Sequence, residues 1–211
     1  MDSVSICNMA LGMLGMPSIV SFSDENNNAQ LCGRFFPALR DRVLRDHTWS
    51  FAHASCMLQA LDEEGFDPAF PRVCAIPADL IRIVGIVPDM PFRRQGKRVH
   101  VPELPARLIY IRRVEDPTQF DEAFTEALQY LLAAEIGMAH TRDMQLCNNY
   151  RQEYERILAV ARSIDSQENA AAYQPLPRRS HWLASRGSGV RDDYSRPCKW
   201  TEGTEGKQEG Y

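Results

Sequence analysis

Seven prolines crowd the middle of the sequence and restrict what can fold there. They stand at positions 68, 71, 77, 88, 91, 102 and 105. Proline lacks a backbone donor and clashes with the preceding helical turn, so no long helix can cross residues 49–114. Short runs typical of strands lie between the prolines: Phe51–Leu58, Leu80–Val87, Arg98–Val101 and Leu108–Arg113. With a hairpin turn predicted at Gln95-Gly96-Lys97, this stretch is expected to form a small antiparallel sheet.

Helical periodicity on both sides of this stretch predicts a bundle that the sheet interrupts. Apolar residues recur at intervals of three and four over residues 3–14, 28–46, from 121 to a break at 138–142, and 142–166. The predicted fold class is mainly α: a helical bundle with an inserted small antiparallel β-region and an extended C-terminal tail. The predicted division is 1–48 for the N-terminal helices, 49–114 for the insertion, 115–168 for the C-terminal helices and 169–211 for the tail.

Three residues set expectations for the first two helices. Ser3 is a candidate cap at the start of the first helix, and Gly15 is a natural stop at its end. Pro37 lies inside the second helical pattern, where an interior proline costs about 3 kcal/mol. We therefore expect a kink at Pro37 or two shorter helices.

Composition and charge narrow the possible functions. The formal net charge is -4 and the pI about 5.8, so no overall positive charge indicates nucleic-acid binding. The six cysteines and five histidines match no zinc or disulfide framework, and no cofactor or metal is expected. The N-terminus lacks a secretory pattern, and no apolar run approaches the roughly 20 residues that span a bilayer. The expectation is a soluble protein made in a cytoplasm, with no membrane contact.

No motif in the sequence predicts catalysis. Phosphate-binding glycine loops, a nucleophile elbow and a His-Glu-x-x-His zinc motif are all missing from the sequence. Asp116, Asp121, Glu122 and Glu126 form an acidic cluster at a predicted helix start, where capping and the helix dipole explain carboxylates. A glycosidase needs only two carboxylates, so the sequence leaves that alternative open. No catalytic residue is predicted.

Two groups of residues are candidates for contacts with partners. The basic run consists of Arg93, Arg94, Lys97 and Arg98; it is either a solvated hairpin tip or a contact to DNA phosphate or an acidic neighbouring subunit. The tail combines aromatic and basic side chains, namely Arg178, Arg179, Trp182, Leu183, Arg186, Tyr194 and Trp200. Aromatic residues beside arginines are typical of buried interface centres. The alternative for the tail is that Trp182 packs back on its own domain.

Several segments, in this order, resemble the phage tail tubular protein A family. The first is Asn8-Met9-Ala10-Leu11 to Leu14-Gly15-Met16-Pro17, followed by Ile19 and the Ser21–Glu25 turn; the second is Phe36–His47, leading to Trp49-Ser50-Phe51-Ala52. The others are Ile76–Ile83, Tyr110–Pro117, Phe120-Asp121 and the Phe124–Ala134 helix. Each segment is short, and their order and spacing over about 165 residues carry the resemblance. The tail beyond Asn169 is matched least.

The resemblance implies a structural protein of a short-tailed bacteriophage and no enzyme activity. Members are head-to-tail adaptors: a ring, twelve copies in this expectation, joins the portal protein to the tail nozzle protein and continues the DNA channel. The implied partners are portal, nozzle, further copies of the chain, and passing double-stranded DNA without specific binding. The implied location is the virion tail or neck. The candidate residues in the C-terminal segment of the chain would contact the portal. Two alternatives remain: a virion-associated peptidoglycan-cleaving protein and a nucleic-acid-binding protein.

Overall fold

Two capped helices begin the chain. In the computed structural model, which describes residues 1–65, 67–140 and 143–170, α1 is Ser3–Met13 and α2 is Asn27–Asp46. Asp2 and Asn26 accept backbone amide hydrogen bonds of 2.7 and 2.8 Å and so cap the two helices. The predicted bounds are confirmed to within one residue, but the first cap is Asp2 and not Ser3.

Pro37 does not divide the second helix. α2 runs through it as one element, with Phe36 and Leu39 buried on either side. The space near Gly33, four residues earlier, is open: a Cβ there would meet only Phe22 Cβ at 4.0 Å. Burial of the flanking apolar residues offsets the missing hydrogen bond, so the expectation of two shorter helices was wrong.

Two further helices complete the bundle. α3 is Glu122–His140 and α4 is Met144–Ala170, close to the predicted positions. α3 is buried on most of its surface and packs against α1 and α2. The hydroxyl of Tyr150 donates a 2.6 Å hydrogen bond to the carbonyl oxygen of Met13, so α4 is tied to the end of α1. None of the helices described has both the length and the apolar character needed to cross a membrane.

The middle of the chain holds seven strands in two antiparallel sheets. The strands are β1 His53–Met57, β2 Ala60–Glu64, β3 Arg72–Ala75, β4 Leu80–Val87, β5 Arg93–Gln95, β6 Arg98–Val101 and β7 Arg107–Arg112. Sheet A has the order β1-β7-β4, and sheet B has the order β2-β3-β6-β5. Short 3-10 turns at Ser50–Ala52 and Pro117–Gln119 connect this region to the helices.

The predicted mainly α fold class was therefore wrong. Four helices and seven strands, counted over the described residues, make an α/β mix. The four predicted strands correspond to β1, β4, β6 and β7, whereas β2, β3 and β5 were missed. β2 carries three acidic residues, β3 is only four residues long, and all of β5 is exposed. Pairing with neighbouring strands, and not their own composition, gives these segments their extended conformation.

Sheet A separates two hydrophobic cores. Ile81 and Ile111 belong to the bundle core, together with residues from all four helices. Leu108 and Tyr110 of the same strand β7 belong to a second core, which Val99 and other residues of sheet B complete. The inserted β-region is thus an integral part of the fold, because its strand β7 contributes side chains to both hydrophobic cores.

Polar contacts join the bundle to sheet A. Asp41 of α2 accepts hydrogen bonds from Arg40 at 2.8 Å and from Arg113 at 2.8 Å. Arg113 follows β7, and Arg82 of β4 donates to the hydroxyl of Thr48 after α2. These contacts fix the sheet against the end of α2.

Candidate interaction surfaces

The predicted hairpin lies at one edge of sheet B. β5 pairs with β6 in the register Arg93 with His100, Arg94 with Val99, and Gln95 with Arg98. Gly96 in the turn has φ of 57°, a left-handed conformation that favours glycine. The hairpin prediction is confirmed, and all four candidate cations lie on this hairpin.

Two of the four cations are already neutralised. Arg98 forms two parallel bonds to the carboxylate of Glu63, of 2.6 and 2.7 Å. Arg93 lies 3.1 Å from Asp67, and its guanidinium stands 5.6 Å from the centroid of the Phe70 ring. Since each cation holds a neighbouring segment of its own chain, Arg93 and Arg98 serve the structure of sheet B.

The other two cations have no acidic partner among the residues that the structure describes. Arg94 alternates to the opposite face of the strand from Arg93, and Lys97 lies in the turn. Both are exposed, and neither forms an ion pair with any residue in the described part of the chain. Phe92, just before the strand, exposes 38% of its surface. The tip of the hairpin thus presents one aromatic ring beside two uncompensated cations.

A cavity of about 370 Å³ adjoins the hairpin. Asp67, Phe70, Arg93 and Arg94 line it together with His100. Among the described residues, Nε2 of His100 is the enclosed side-chain atom without a hydrogen-bond partner. A buried nitrogen without a hydrogen-bond partner lowers the stability of the fold, so the hydrogen-bonding capacity of His100 in sheet B is not fully used.

The acidic cluster divides into two pairs with different roles. Asp116 accepts from the amide and the hydroxyl of Thr118 at 3.0 and 2.7 Å, and this bonding lowers the pKa of Asp116. Asp121 accepts from the amide of Ala123 at 2.8 Å. The capping interpretation therefore holds for Asp116 and Asp121. Glu122 lies in the first turn of α3, where the helix dipole favours a carboxylate, as expected. Glu122 and Glu126 also line a cavity, which the expectation did not include.

This second cavity, of about 410 Å³, lies beside the first two turns of α3. Its walls include Met1, Phe120, Glu122, Glu126 and Gln129. Neither glutamate has a cation within salt-bridge distance in the part of the chain that the structure describes. Arg156 also faces Glu126, but its guanidinium is bonded to Glu153 at 2.7 Å. We call this feature the acidic cavity.

The sequence contained a signal for the acidic cavity that the capping interpretation overlooked. Glu122, Glu126 and Gln129 are spaced by four and three residues, so they share one face of a helix. A polar stripe on a helix that is otherwise buried indicates a surface that its own chain leaves open.

The described residues include five cysteines, all with free thiols, and four of the five are buried. Cys7 and Cys32 are both fully buried in the bundle core. Their mutual hydrogen bond, with burial, raises the pKa of the Cys7 thiol. Burial also raises the pKa of Cys56, Cys74 and Cys147. No group of three or more His, Cys, Asp or Glu side chains within residues 1–65, 67–140 and 143–170 is arranged to hold a metal ion.

The predicted tail contacts lie outside the described residues. They are Arg178, Arg179, Trp182, Leu183, Arg186, Tyr194 and Trp200. Comparison with protein-family models gave no match, and comparison with curated proteins gave none either.

Proposed function

We propose that this chain is a head-to-tail adaptor subunit of a short-tailed bacteriophage. A ring of copies, twelve in the proposal, joins the portal to the tail nozzle and continues the DNA channel. The location is the virion tail or neck, and the role is structural. The proposal rests on the resemblance of the sequence to the tail tubular protein A family.

One structural observation supports this proposal: the segments that carry the resemblance meet at a single junction. Asp41, in the Phe36–His47 segment, bonds to Arg113 of the Tyr110–Pro117 segment at 2.8 Å. The amide of Arg113 donates to the carbonyl oxygen of Asp79, in the Ile76–Ile83 segment, at 2.6 Å. Three short matches far apart in sequence thus form one contact network.

Aromatic packing joins the Phe120-Asp121 and Phe124–Ala134 segments to the second segment. Trp49 lies edge-on to Phe124, with ring centroids 5.2 Å apart, and its indole donates to the carbonyl oxygen of Val43 at 2.8 Å. Phe51 contacts Phe120 at 5.9 Å. The resemblance therefore covers the packed centre of the molecule, where sequence is most restricted by structure.

The surface also suits passage of DNA better than retention of it. Two of the four hairpin cations are neutralised by Glu63 and Asp67, and the chain carries a net charge of -4. Phosphate contacts dominate the affinity of DNA-binding proteins, so a net negative charge and a partly neutralised hairpin disfavour strong binding. Weak binding is what a conduit for moving DNA requires.

The deciding experiment mixes the purified full-length chain with the portal protein of the same phage and images the product by electron microscopy. We expect rings on the portal in the mixture, whereas the chain alone should associate only weakly and form no complete rings. A variant with Trp182→Ala and Arg179→Ala tests the tail candidates and should lose the complex while keeping its circular dichroism spectrum. Arg34→Ala, an exposed substitution on α2, is the matched control and should keep the complex.

Two results would reject the proposal. One is a lack of any complex with the portal over a wide range of protein concentration. The other is a lack of the chain in purified virions by mass spectrometry. Clearing of a peptidoglycan suspension by the purified chain would favour the cell-wall-cleaving alternative instead.

A further inference from the structure

We propose that the tip of the β5–β6 hairpin of one copy docks into the acidic cavity of the next copy. This inference rests on the proposed ring assembly and names the contact between neighbouring subunits. Phe92, Arg94 and Lys97 are the docking residues. Met1, Phe120, Glu122 and Glu126 form the site that receives them.

The chemistry of the hairpin tip favours a protein partner. Phe92 exposes 38% of its surface, and Arg94 and Lys97 are exposed without an acidic partner among the described residues. An aromatic ring beside an arginine is the combination most enriched at the centres of protein interfaces. DNA backbone contacts need cations but not an exposed phenylalanine beside them.

The acidic cavity has the complementary chemistry. Glu122 and Glu126 are one helical turn apart, with about 5–6 Å between their Cβ atoms, and both are exposed. Met1, which is 64% exposed, and the half-buried Phe120 supply apolar walls for an aromatic ring. A volume of about 410 Å³ leaves room for the side chain of Phe92. Two adjacent cations would thus meet two adjacent carboxylates around an apolar contact.

The two surfaces are unlike, and this fixes the type of assembly. The hairpin lies on sheet B over the second core, whereas the acidic cavity lies beside α3 and the bundle core. A contact between two unlike surfaces is head-to-tail, and its repetition closes into a ring when the rotation per copy allows. A symmetric pair, in which each copy uses the same patch, cannot form from this contact alone.

Zero-length cross-linking tests the contact in the unaltered protein. Full-length chain labelled with ¹⁵N is mixed with unlabelled chain at high concentration and treated with a carbodiimide, which joins the Lys97 amine to nearby carboxylates. Mass spectrometry should find peptides that join light Lys97 to heavy Glu122 or Glu126, and the reverse. The inference would be overturned if no light–heavy cross-links of Lys97 form. It would also be overturned if Lys97 is joined between copies only to carboxylates other than Glu122 and Glu126.

Charge reversal provides a second test, because residues that only stabilise the fold would not regain self-association when two variants are mixed. One variant carries Arg94→Glu with Lys97→Glu, and the other carries Glu122→Lys with Glu126→Lys. Each should fail to self-associate in sedimentation velocity, because its hairpin and its cavity then have the same charge. An equal mixture of the two variants should associate again. In an alternating row, the acidic hairpin of one variant meets the basic cavity of the other, and the basic hairpin of the second meets the acidic cavity of the first. If the mixture stays as dispersed as the separate variants, the inference is wrong.

A control and a comparison separate the possible causes. Arg34→Glu with Arg45→Glu changes the net charge as much as the hairpin variant but alters exposed residues of α2, and it should associate normally. Loss of DNA retention in a salt-titrated gel shift of the hairpin variant, with unchanged self-association, would assign the hairpin to DNA and overturn the inference. If both charge-reversed variants form portal complexes as well as the unaltered chain does, the inference is also overturned, but the proposed function remains. Mixed Lys97–Glu126 products without any portal complex would instead reject the proposed function alone.

Discussion

The phenolic hydroxyl of Tyr154 lies 2.7 Å from Oδ2 of Asp46 and so joins α4 to the end of α2. Arg162, two turns further along α4, donates to the carbonyl oxygen of Asp46 at 3.0 Å. Tyr154 is almost fully buried, and burial together with the Asp46 carboxylate raises its pKa. Asp46 therefore accepts two hydrogen bonds from α4, one at its carboxylate and one at its backbone carbonyl oxygen.

Tyr154→Phe should lower the free energy of unfolding by about 1.5 kcal/mol, the range for a hydrogen bond to a charged group. The change should also alter the alkaline limb of the stability curve. The unfolded tyrosine ionises near its ordinary pKa of 10.0, whereas the folded one does not. The stability from Tyr154 is thus fully present below about pH 10 and declines as the pH rises above it. Urea unfolding at pH 8 and pH 10.5 measures both effects.

Tyr130→Phe is the control for that measurement, because Tyr130 contacts Tyr150 through its ring. Its alkaline limb should follow that of the unaltered chain. Equal alkaline losses in the Tyr154→Phe variant and the unaltered chain would contradict the assignment of this effect to Tyr154.

Asp41→Ala should destabilise the junction between α2 and sheet A. It leaves Arg40, whose side chain is only 9% exposed, without its nearest carboxylate, and it frees Arg113. We expect a loss of about 2–3 kcal/mol, below the range for fully buried pairs because Asp41 is 24% exposed. Glu115→Ala is the matched control, since Glu115 lies 4.0 Å from Arg40 and is 73% exposed. Its loss should stay under about 0.5 kcal/mol in thermal unfolding.

Leu108→Ala tests whether the second core contributes to global stability. Leu108 has no exposed surface, and its truncation should cost about 3 kcal/mol in urea unfolding. Val87→Ala, on the adjacent strand of the same sheet, removes a side chain that is 52% exposed and should cost under about 0.5 kcal/mol. Similar small losses for both variants would show that the two-sheet insertion adds little to the fold.

The buried thiols of the described residues should react slowly in the native protein. Iodoacetamide attacks the thiolate, and burial raises the pKa of Cys56, Cys74 and Cys147. Among the five cysteines of the described residues, peptide mapping after brief alkylation at pH 8 should find Cys56, which is half-exposed, modified first and Cys7 last. The urea-denatured chain is the reference for full reactivity. Native alkylation of Cys7 at the denatured rate would contradict its burial in the bundle core.

The helices were predictable because each has its own local signals. Asn26 and Asp143 are capping residues at the starts of α2 and α4, and apolar spacing marks the buried faces. The strands were harder, because β2 and β5 gain their conformation from partners distant in sequence. Glu63 in β2, for example, is held by Arg98, 35 residues further on. Nothing near Glu63 in the sequence predicts that bond, so one small sheet was expected where two exist.

The position of the basic hairpin was predictable from the sequence, but its ion pairs and the acidic cavity were not. The cluster from Arg93 to Arg98 was correctly placed on a hairpin, yet its sequence does not show that Asp67 and Glu63 neutralise two of the cations. The position of Glu122 and Glu126 at a helix start was explained by capping and the helix dipole, and the cavity that they also line was not predicted. Only the packing of Met1 and Phe120 around them creates a cavity.

The hydrogen bond from Tyr150 to Met13 spans 137 residues of sequence, and this separation has a consequence for biosynthesis. During translation the first two helices leave the ribosome long before α3 and α4 exist to cover them. Their apolar faces must therefore wait, exposed or shielded by chaperones, until most of the chain has been made. We expect nascent chains stalled before α3 to be protease-sensitive, and resistance to appear only after release of α4.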